Sequence, residues 1–374
     1  MIYFDNAATT EVSAEVLAEM LPFLKEHYGN PTSKYYPLAL EANQAIKNAS
    51  AKIAECFNVS SDEVIYTSGA TESNNMIIKG IAFSNIKLGG HFITTKVEHS
   101  SVLKTYQYLE TLGFSVTYLD VDKFGRINCS DLLASITDDT LLCSIIWANN
   151  EVGSLNDIKR ISEICNSSNI PLHVDATQVI GKYKFTLDAY PGIKFLTGSG
   201  HKIHGPKGIG FTLIRKDKDG ILPSLTPLLH GGGQQNDYRS GTIPTYLIVG
   251  LAKAIEIVVS NIDDNVKYLK MLEQIFLDKI EEVFGNAVHI NSDKKNKIYG
   301  LINLQIKGIN NELLLKKISD YIAASTGSAC SVNEPSHVLK SMGYTLDEIR
   351  NSIRFSLSIN NTIEEIDQFI SIFK

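Results

Sequence analysis

Ser199-Gly200-His201-Lys202 is the segment of this chain best suited to covalent chemistry. A lysine is ordinarily a solvated surface residue. This one follows a short apolar run, Lys194 to Leu196, and small residues crowd positions 198–200. Gly205-Pro206-Lys207-Gly208 comes next. A loop so poor in side chains lets the backbone approach a ligand closely. A lysine amine placed there can form a Schiff base with an aldehyde cofactor.

Such a cofactor, pyridoxal 5′-phosphate, makes three further demands. Its phosphate needs a cradle. Ser68-Gly69-Ala70-Thr71 lies between a strand and a helix start, where backbone N–H groups and the Thr71 hydroxyl suit an anion. A plain helix N-cap reads equally well. Its pyridine nitrogen needs a carboxylate to stay protonated. Asp175 ends the run Leu172-His173-Val174, where α/β active sites form. Its ring needs a group against one face. His99 follows the run His91 to Thr95, although a lone histidine is more often structural.

Gly327-Ser328-Ala329-Cys330-Ser331 places a thiol among small polar residues. It reads either as a chance exposed cysteine or as an accessible nucleophile, and the composition favours the nucleophile. The other cysteines, Cys56, Cys129, Cys143 and Cys165, sit in apolar or helical settings and read as packing residues. No pair has the C-x-x-C spacing, so neither a disulfide framework nor a metal site is expected. His230-Gly231-Gly232-Gly233 suggests an esterase oxyanion loop, but no G-x-S-x-G elbow accompanies it. No glycine-rich dinucleotide or P-loop motif is present.

The elements that must hold these residues follow from periodicity. Apolar runs at Val64 to Tyr66, His91 to Thr95, Leu141 to Trp147, Pro171 to Val174, Lys194 to Leu196 and Gly210 to Ile214 read as strands. Helical patterns start near Thr71, Ser101 and Asn156. This alternation predicts an α/β fold with a mainly parallel sheet, and nearly all-apolar strands predict burial on both faces. After about residue 256 the pattern changes to a smaller α+β unit. It opens with a long amphipathic helix, Asp263 to Val283, and has strands near Gly300 to Ile306 and Ile353 to Leu357. The expected division is a large cofactor-binding domain, 15–256, and a small domain from 1–14 and 257–374 that carries the cysteine loop.

The 374 residues carry a formal charge of −6, which offers nothing to attract nucleic acid directly. No stretch approaches the roughly 18 apolar residues of a membrane span. The first residues lack the features of a signal peptide, so a cytoplasmic location is expected.

Taken in order, these segments resemble the cysteine desulfurases of the class V aminotransferase group, in the iron–sulfur and nitrogen-fixation type called group I. The likeness runs nearly end to end. It includes Tyr3-Phe4-Asp5-Asn6-Ala7-Ala8-Thr9-Thr10, Gly29-Asn30-Pro31, Ser68-Gly69-Ala70-Thr71-Glu72 and Glu98-His99. It continues through Asn149-Asn150-Glu151-Val152-Gly153, His173-Val174-Asp175-Ala176-Thr177-Gln178 and Ser199-Gly200-His201-Lys202. Arg239-Ser240-Gly241-Thr242, Gly327-Ser328-Ala329-Cys330 and Ser352-Ile353-Arg354-Phe355-Ser356 complete it.

The resemblance implies the type I pyridoxal-phosphate aminotransferase fold and a role for each matching residue. Lys202 would carry the cofactor. Ala70, Thr71, Ser199 and His201 would hold the phosphate, with Thr242 reaching the phosphate of the other subunit of a homodimer. Asp175 would pair with the ring nitrogen, Gln178 with the ring hydroxyl, and His99 would stack on the ring and exchange protons. Asn150 would lie at ring and substrate. Arg354 would clamp the carboxylate of L-cysteine, with Asn30 nearby. Cys330 would take the sulfur as a persulfide, leave alanine, and pass the sulfur to an acceptor protein. That acceptor would serve iron–sulfur assembly, tRNA thiolation or DNA phosphorothioation. The segment between Cys330 and Pro335 is shorter than the usual pattern. A selenocysteine lyase, or another enzyme of the same fold, is the alternative.

Overall fold

The computed structural model describes residues 1–327 and 334–373. The chain opens on a short strand, β1 (Ile2–Tyr3). Seven strands then build the main sheet: β2 (Val64–Thr67), β3 (His91–Thr95), β4 (Ser115–Leu119), β5 (Thr140–Ile146), β6 (Leu172–Asp175), β7 (Ile193–Ser199) and β8 (Gly210–Ile214). Their spatial order is β2-β8-β7-β6-β5-β3-β4. The pairings from β7 through β6, β5 and β3 to β4 are parallel, whereas β8 runs antiparallel to both β7 and β2.

This reversal positions the site. Antiparallel pairing sets the start of β8, Gly210, opposite both Thr67 at the end of β2 and Ser199 at the end of β7. The turn after β2 therefore lies beside the end of β7. A side chain at Gly210 would come within 2.6 Å of Gly69 Cα and 2.8 Å of Gly198 O, so only glycine lets the two loops close on each other.

Helices cover both faces of the sheet. On one face the helices Ala14–Lys25, Pro37–Phe57, Ile158–Ser167 and Thr245–Ser260 pack with Val16, Phe57, Ile161 and Leu251 against Ile145, Val174 and Leu196. On the other, Ala70–Ser84 and Ser100–Thr111 pack with Met76, Ile77, Tyr106 and Leu109 against Phe92, Leu142 and Phe195. In β3, Phe92 and Ile93 point to opposite cores, and both β3 and β6 are buried throughout.

Beyond the main sheet, β9 (Val288–Ile290), β10 (Leu301–Ile306) and β12 (Ser352–Ser356) form an antiparallel sheet in the order β12-β10-β9. Strand β11 (Ile322–Ala323) pairs in parallel with β1. The helix Ile262–Phe284 and the helix Ile363–Ser371 pack on this part through a cluster of Phe4, Phe276, Phe355 and Phe369. Phe4 thus ties the N-terminal segment to residues late in the chain. Residue 256 falls inside the helix Thr245–Ser260, and Val258 of that helix belongs to the main-sheet core.

Candidate active site

The strand ends converge on one cavity of about 590 Å³. Ten residues singled out from the sequence line it: Ala70, Thr71, His99, Asn150, Asp175, Gln178, Ser199, His201, Lys202 and Arg354. Two do not. Thr242 is exposed. Asn30 is exposed too, and its side-chain oxygen accepts from the Thr32 backbone N–H at 3.1 Å and the Thr32 hydroxyl at 2.8 Å, closing its own turn. Cys330 lies outside the described residues.

Lys202 closes the short helical turn Gly200–Lys202 that follows β7. Its ammonium donates to the carbonyls of Ala7 and Ala8, each at 2.7 Å. The turn itself is held by the N-terminal segment, since Thr10 N–H donates to His201 O at 2.8 Å. Asp175 ends β6 with only 4% of its surface exposed. Asn74 Nδ2 donates to its Oδ2 at 2.9 Å, and the Thr177 backbone N–H donates to its Oδ1 at 3.0 Å. Two donors, one on each oxygen, fix the plane of the carboxylate.

His99 and His201 are both pushed toward their neutral forms. Burial pushes the His99 imidazole down, against the opposing pull of Asp175. His99 Nδ1 accepts from the Ser101 backbone N–H at 3.1 Å, so its neutral tautomer carries the proton on Nε2. His201 is pushed down to about 4 by burial and by the charges of Lys202 and Lys207.

Ser199 Oγ is buried with no hydrogen-bond partner among the described residues. It sits 3.9 Å from where a side chain on Gly69 would begin, at the start of the helix Ala70–Ser84. A buried hydroxyl lacking a partner, set beside the N–H groups of a helix start, fits the oxygens of a phosphate ester. The donor set around the cavity therefore suits pyridoxal phosphate.

At the other end of the cavity stands Arg354, only 2% exposed. Its Nη2 pairs with Asp5 Oδ1 at 2.7 Å, and its Nη1 donates to Asn150 O at 3.0 Å. Its Nε is buried without a partner. That N–H is a ready donor for a small carboxylate.

Sequence reasoning passed over Asp5, Glu98, Glu151 and Lys182 as site residues. Glu151 lines the cavity, and burial pushes its carboxyl up. Glu98 Oε1 accepts from Ile146 N–H at 2.9 Å and the Thr95 hydroxyl at 2.7 Å, while Oε2 is buried without a partner. Burial pushes the Glu98 carboxyl up to about 8. The folded chain thus favours the protonated acid more than the unfolded chain does. Stability is unaffected below the ordinary 4.5 and falls as pH rises toward about 8. Glu98→Gln removes that titration. The variant apoprotein should gain stability over the parent as pH rises through this window, by at most about 1.4 kcal/mol per pH unit. Thermal unfolding near pH 5 and near pH 9 measures the gap. A gap that stays constant would contradict the buried acid.

Comparison with known proteins agrees with this geometry. The family model described as aminotransferase class V matches residues 2–369. Cysteine desulfurase IscS of Dictyoglomus turgidum is 39% identical over 376 aligned positions, covering 100% of this chain and 93% of the relative. Among solved structures, a NifS-like protein superposes with a TM-score of 0.92 at 36% identity, covering 100% of this chain and 98% of the other. SspA in complex with cysteine gives 0.85 at 35% identity, covering 97% of this chain and 100% of the other. Matched over nearly its whole length by sequence and by fold, the chain belongs to the class V aminotransferase family.

Proposed function

We propose that this chain is a cysteine desulfurase that moves the sulfur of L-cysteine onto Cys330 and releases alanine. The observation that carries the reading is the convergence of Lys202, Asp175 and the partnerless Ser199 hydroxyl on the cavity that also holds Arg354. Its likeness to proteins named cysteine desulfurase, and to one solved with cysteine, points the same way.

Lys202 would anchor pyridoxal phosphate. Ala70, Thr71, Ser199 and His201 would hold its phosphate, Asp175 its ring nitrogen, Gln178 its ring oxygen, and His99 its ring face. Bound there, the cofactor supplies an electron sink that makes the substrate Cα–H acidic. Arg354, assisted by Asn150, orients the substrate carboxylate. The Lys202 amine would take the substrate Cα proton. His99, neutral with Nε2–H, exchanges protons with substrate or product. The Cys330 thiolate attacks the substrate sulfur. An S–S bond forms, the Cβ–S bond breaks, and the electron pair left on carbon is protonated to give alanine.

The reading includes a homodimer. Leu17, Leu21 and Leu24, each 42–47% exposed, line one side of the helix Ala14–Lys25, and the exposed Thr242 is free to serve a partner's phosphate. Isolated apolar side chains are common on surfaces, but a helical stripe of them marks an interface. Size exclusion with light scattering should give about twice the 41.3 kDa chain mass. A monomer that retains cofactor and turnover would refute the dimer. The reading also includes a sulfur-acceptor protein and a cytoplasmic setting.

The test is direct. Protein incubated with L-cysteine and a thiol reductant should release alanine, and without reductant should gain one sulfur on the Cys330 peptide. Absence of both would end the reading. Equal release of alanine from selenocysteine without any need for Cys330 would favour a selenocysteine lyase.

A further inference from the structure

A second amine lies behind the cavity wall. Lys182 Nζ donates to Gln178 Oε1 at 3.1 Å. Gln178 Nε2 donates in turn to Ala7 O at 3.0 Å, and that carbonyl also accepts from Lys202 Nζ at 2.7 Å. A continuous chain of hydrogen bonds thus links the two lysines through one amide and one carbonyl.

The consequence lies in the amide. A primary amide has one oxygen acceptor and two N–H donors. With an ammonium on its oxygen, the Gln178 group cannot turn over, because its NH2 would then face the NH3⁺ of Lys182. One N–H is spent on Ala7 O. The other is left for the cavity, which Gln178 lines. A cation on the oxygen also polarises the amide and makes its N–H groups stronger donors.

The surroundings of Lys182 sharpen the point. Among the described residues, no carboxylate bonds it. The charges that act on it are those of Lys202 and Arg354, and His204 lies in its field. Burial and those two cations push its ammonium down to about 7, so near neutral pH the cation is only partly present until an anion enters the cavity and restores it. A cation kept in cationic company is poorly explained as a stabilising ion pair. It is well explained by an anion that the cavity is built to receive.

We propose that Lys182 is a positioning residue for the cofactor, which locks the Gln178 amide so that an N–H faces the ring oxygen of pyridoxal phosphate and binds it more strongly. The inference rests on the cofactor reading above, and its test separates the two. Apoprotein is titrated with pyridoxal phosphate, following heat and the visible absorption band. Lys182→Met should weaken binding about tenfold, the scale of one charge-assisted hydrogen bond, and shift the band. Lys182→Arg, which keeps the cation and its donors, should recover most of the loss. In a Gln178→Ala background, Lys182→Met should add little, since the lock then has nothing to hold.

Wild-type affinity in Lys182→Met would overturn the proposal. A tenfold loss that persists in the Gln178→Ala background would overturn it too, because the lysine would then support the fold generally. Thermal unfolding of each apoprotein identifies a variant that does not fold. Should Lys182→Met be one, Lys182→Gln replaces it, with a neutral N–H donor and a smaller expected loss. Wild-type apoprotein that fails to take up pyridoxal phosphate would sink the cofactor reading itself, and this inference with it.

Discussion

Lys202→Ala should abolish the visible absorbance that the parent protein acquires with pyridoxal phosphate, and alanine release should fall by roughly 10³-fold or more. The size of the loss follows from two roles lost together. The amine anchors the cofactor covalently, and a positioned acid–base group is itself worth about 10²–10⁴ in rate. The fold should survive, because the turn is held by its backbone. Thr10 N–H still meets His201 O, and Gly205 N–H still meets Gly200 O at 3.0 Å. The carbonyls Ala7 O and Ala8 O are among the partners lost, and Ala7 O keeps its bond from Gln178. Borohydride reduction followed by peptide mapping decides the assignment. Lys182 is joined to Lys202 through Gln178 and Ala7 O, and Lys207 lines the same cavity. Label trapped on Lys182, or trapping that survives in Lys202→Ala, would show that the wrong lysine was assigned.

What was legible in the sequence had a local signature. Strand β5 reads Thr140-Leu-Leu-Cys-Ser-Ile-Ile, and an apolar run of that length suits a strand covered on both sides. The long helix expected from Asp263 to Val283 spans Ile262–Phe284. The edge strand β4, Ser115–Leu119, left no such run, because only Leu119 in it is buried. The helices Ala14–Lys25 and Pro37–Phe57 went unread for a related reason: the exposed Leu17, Leu21 and Leu24 blur the first one's apolar face. The reversal at β8 was also invisible, since direction leaves no mark on a buried strand's composition.

The same divide runs through the site. Lys202, Asp175 and Thr71 stand at element ends, where small residues and a change of periodicity announce them. The Arg354–Asp5 pair joins residues 349 positions apart, a separation that no spacing rule bridges. Glu98 and Lys182 are ordinary charged letters until packing buries the first and half-buries the second. Their character comes from desolvation, which only the assembled fold supplies.

Cys330→Ser should leave substrate binding intact while alanine release drops by about 10³-fold or more, because a hydroxyl is a poor attacker at sulfur. Cys330 itself lies outside the described residues, so the expectation rests on its sequence setting and on what flanks it. Gly327 and His337 both line the cavity. Gly327 O accepts from Arg354 Nη1 at 3.5 Å, and Ser336 Oγ donates to Glu151 in the cavity wall. Both approaches to the Cys330 segment therefore end at the wall of the cavity. None of the other cysteines can take over. Cys143 and Cys165 are at most 1% exposed, and the bond to Cys165, followed by burial, pushes the Cys143 thiol up. Burial also raises the Cys129 thiol, and it pushes Cys56 up to about 11. At pH 8 a thiol at about 11 is ionised in roughly one molecule in 10³, and the thiolate is the nucleophile. None of the four lines the cavity. With Lys202, Asp175 and Arg354 untouched, adding L-cysteine should still change the visible spectrum of Cys330→Ser, and the change should persist because the next step fails. Mass spectrometry of the parent protein should find the extra sulfur on the Cys330 peptide. Sulfur on Cys56 or Cys129 instead, or full alanine release by Cys330→Ser, would remove Cys330 from the reaction.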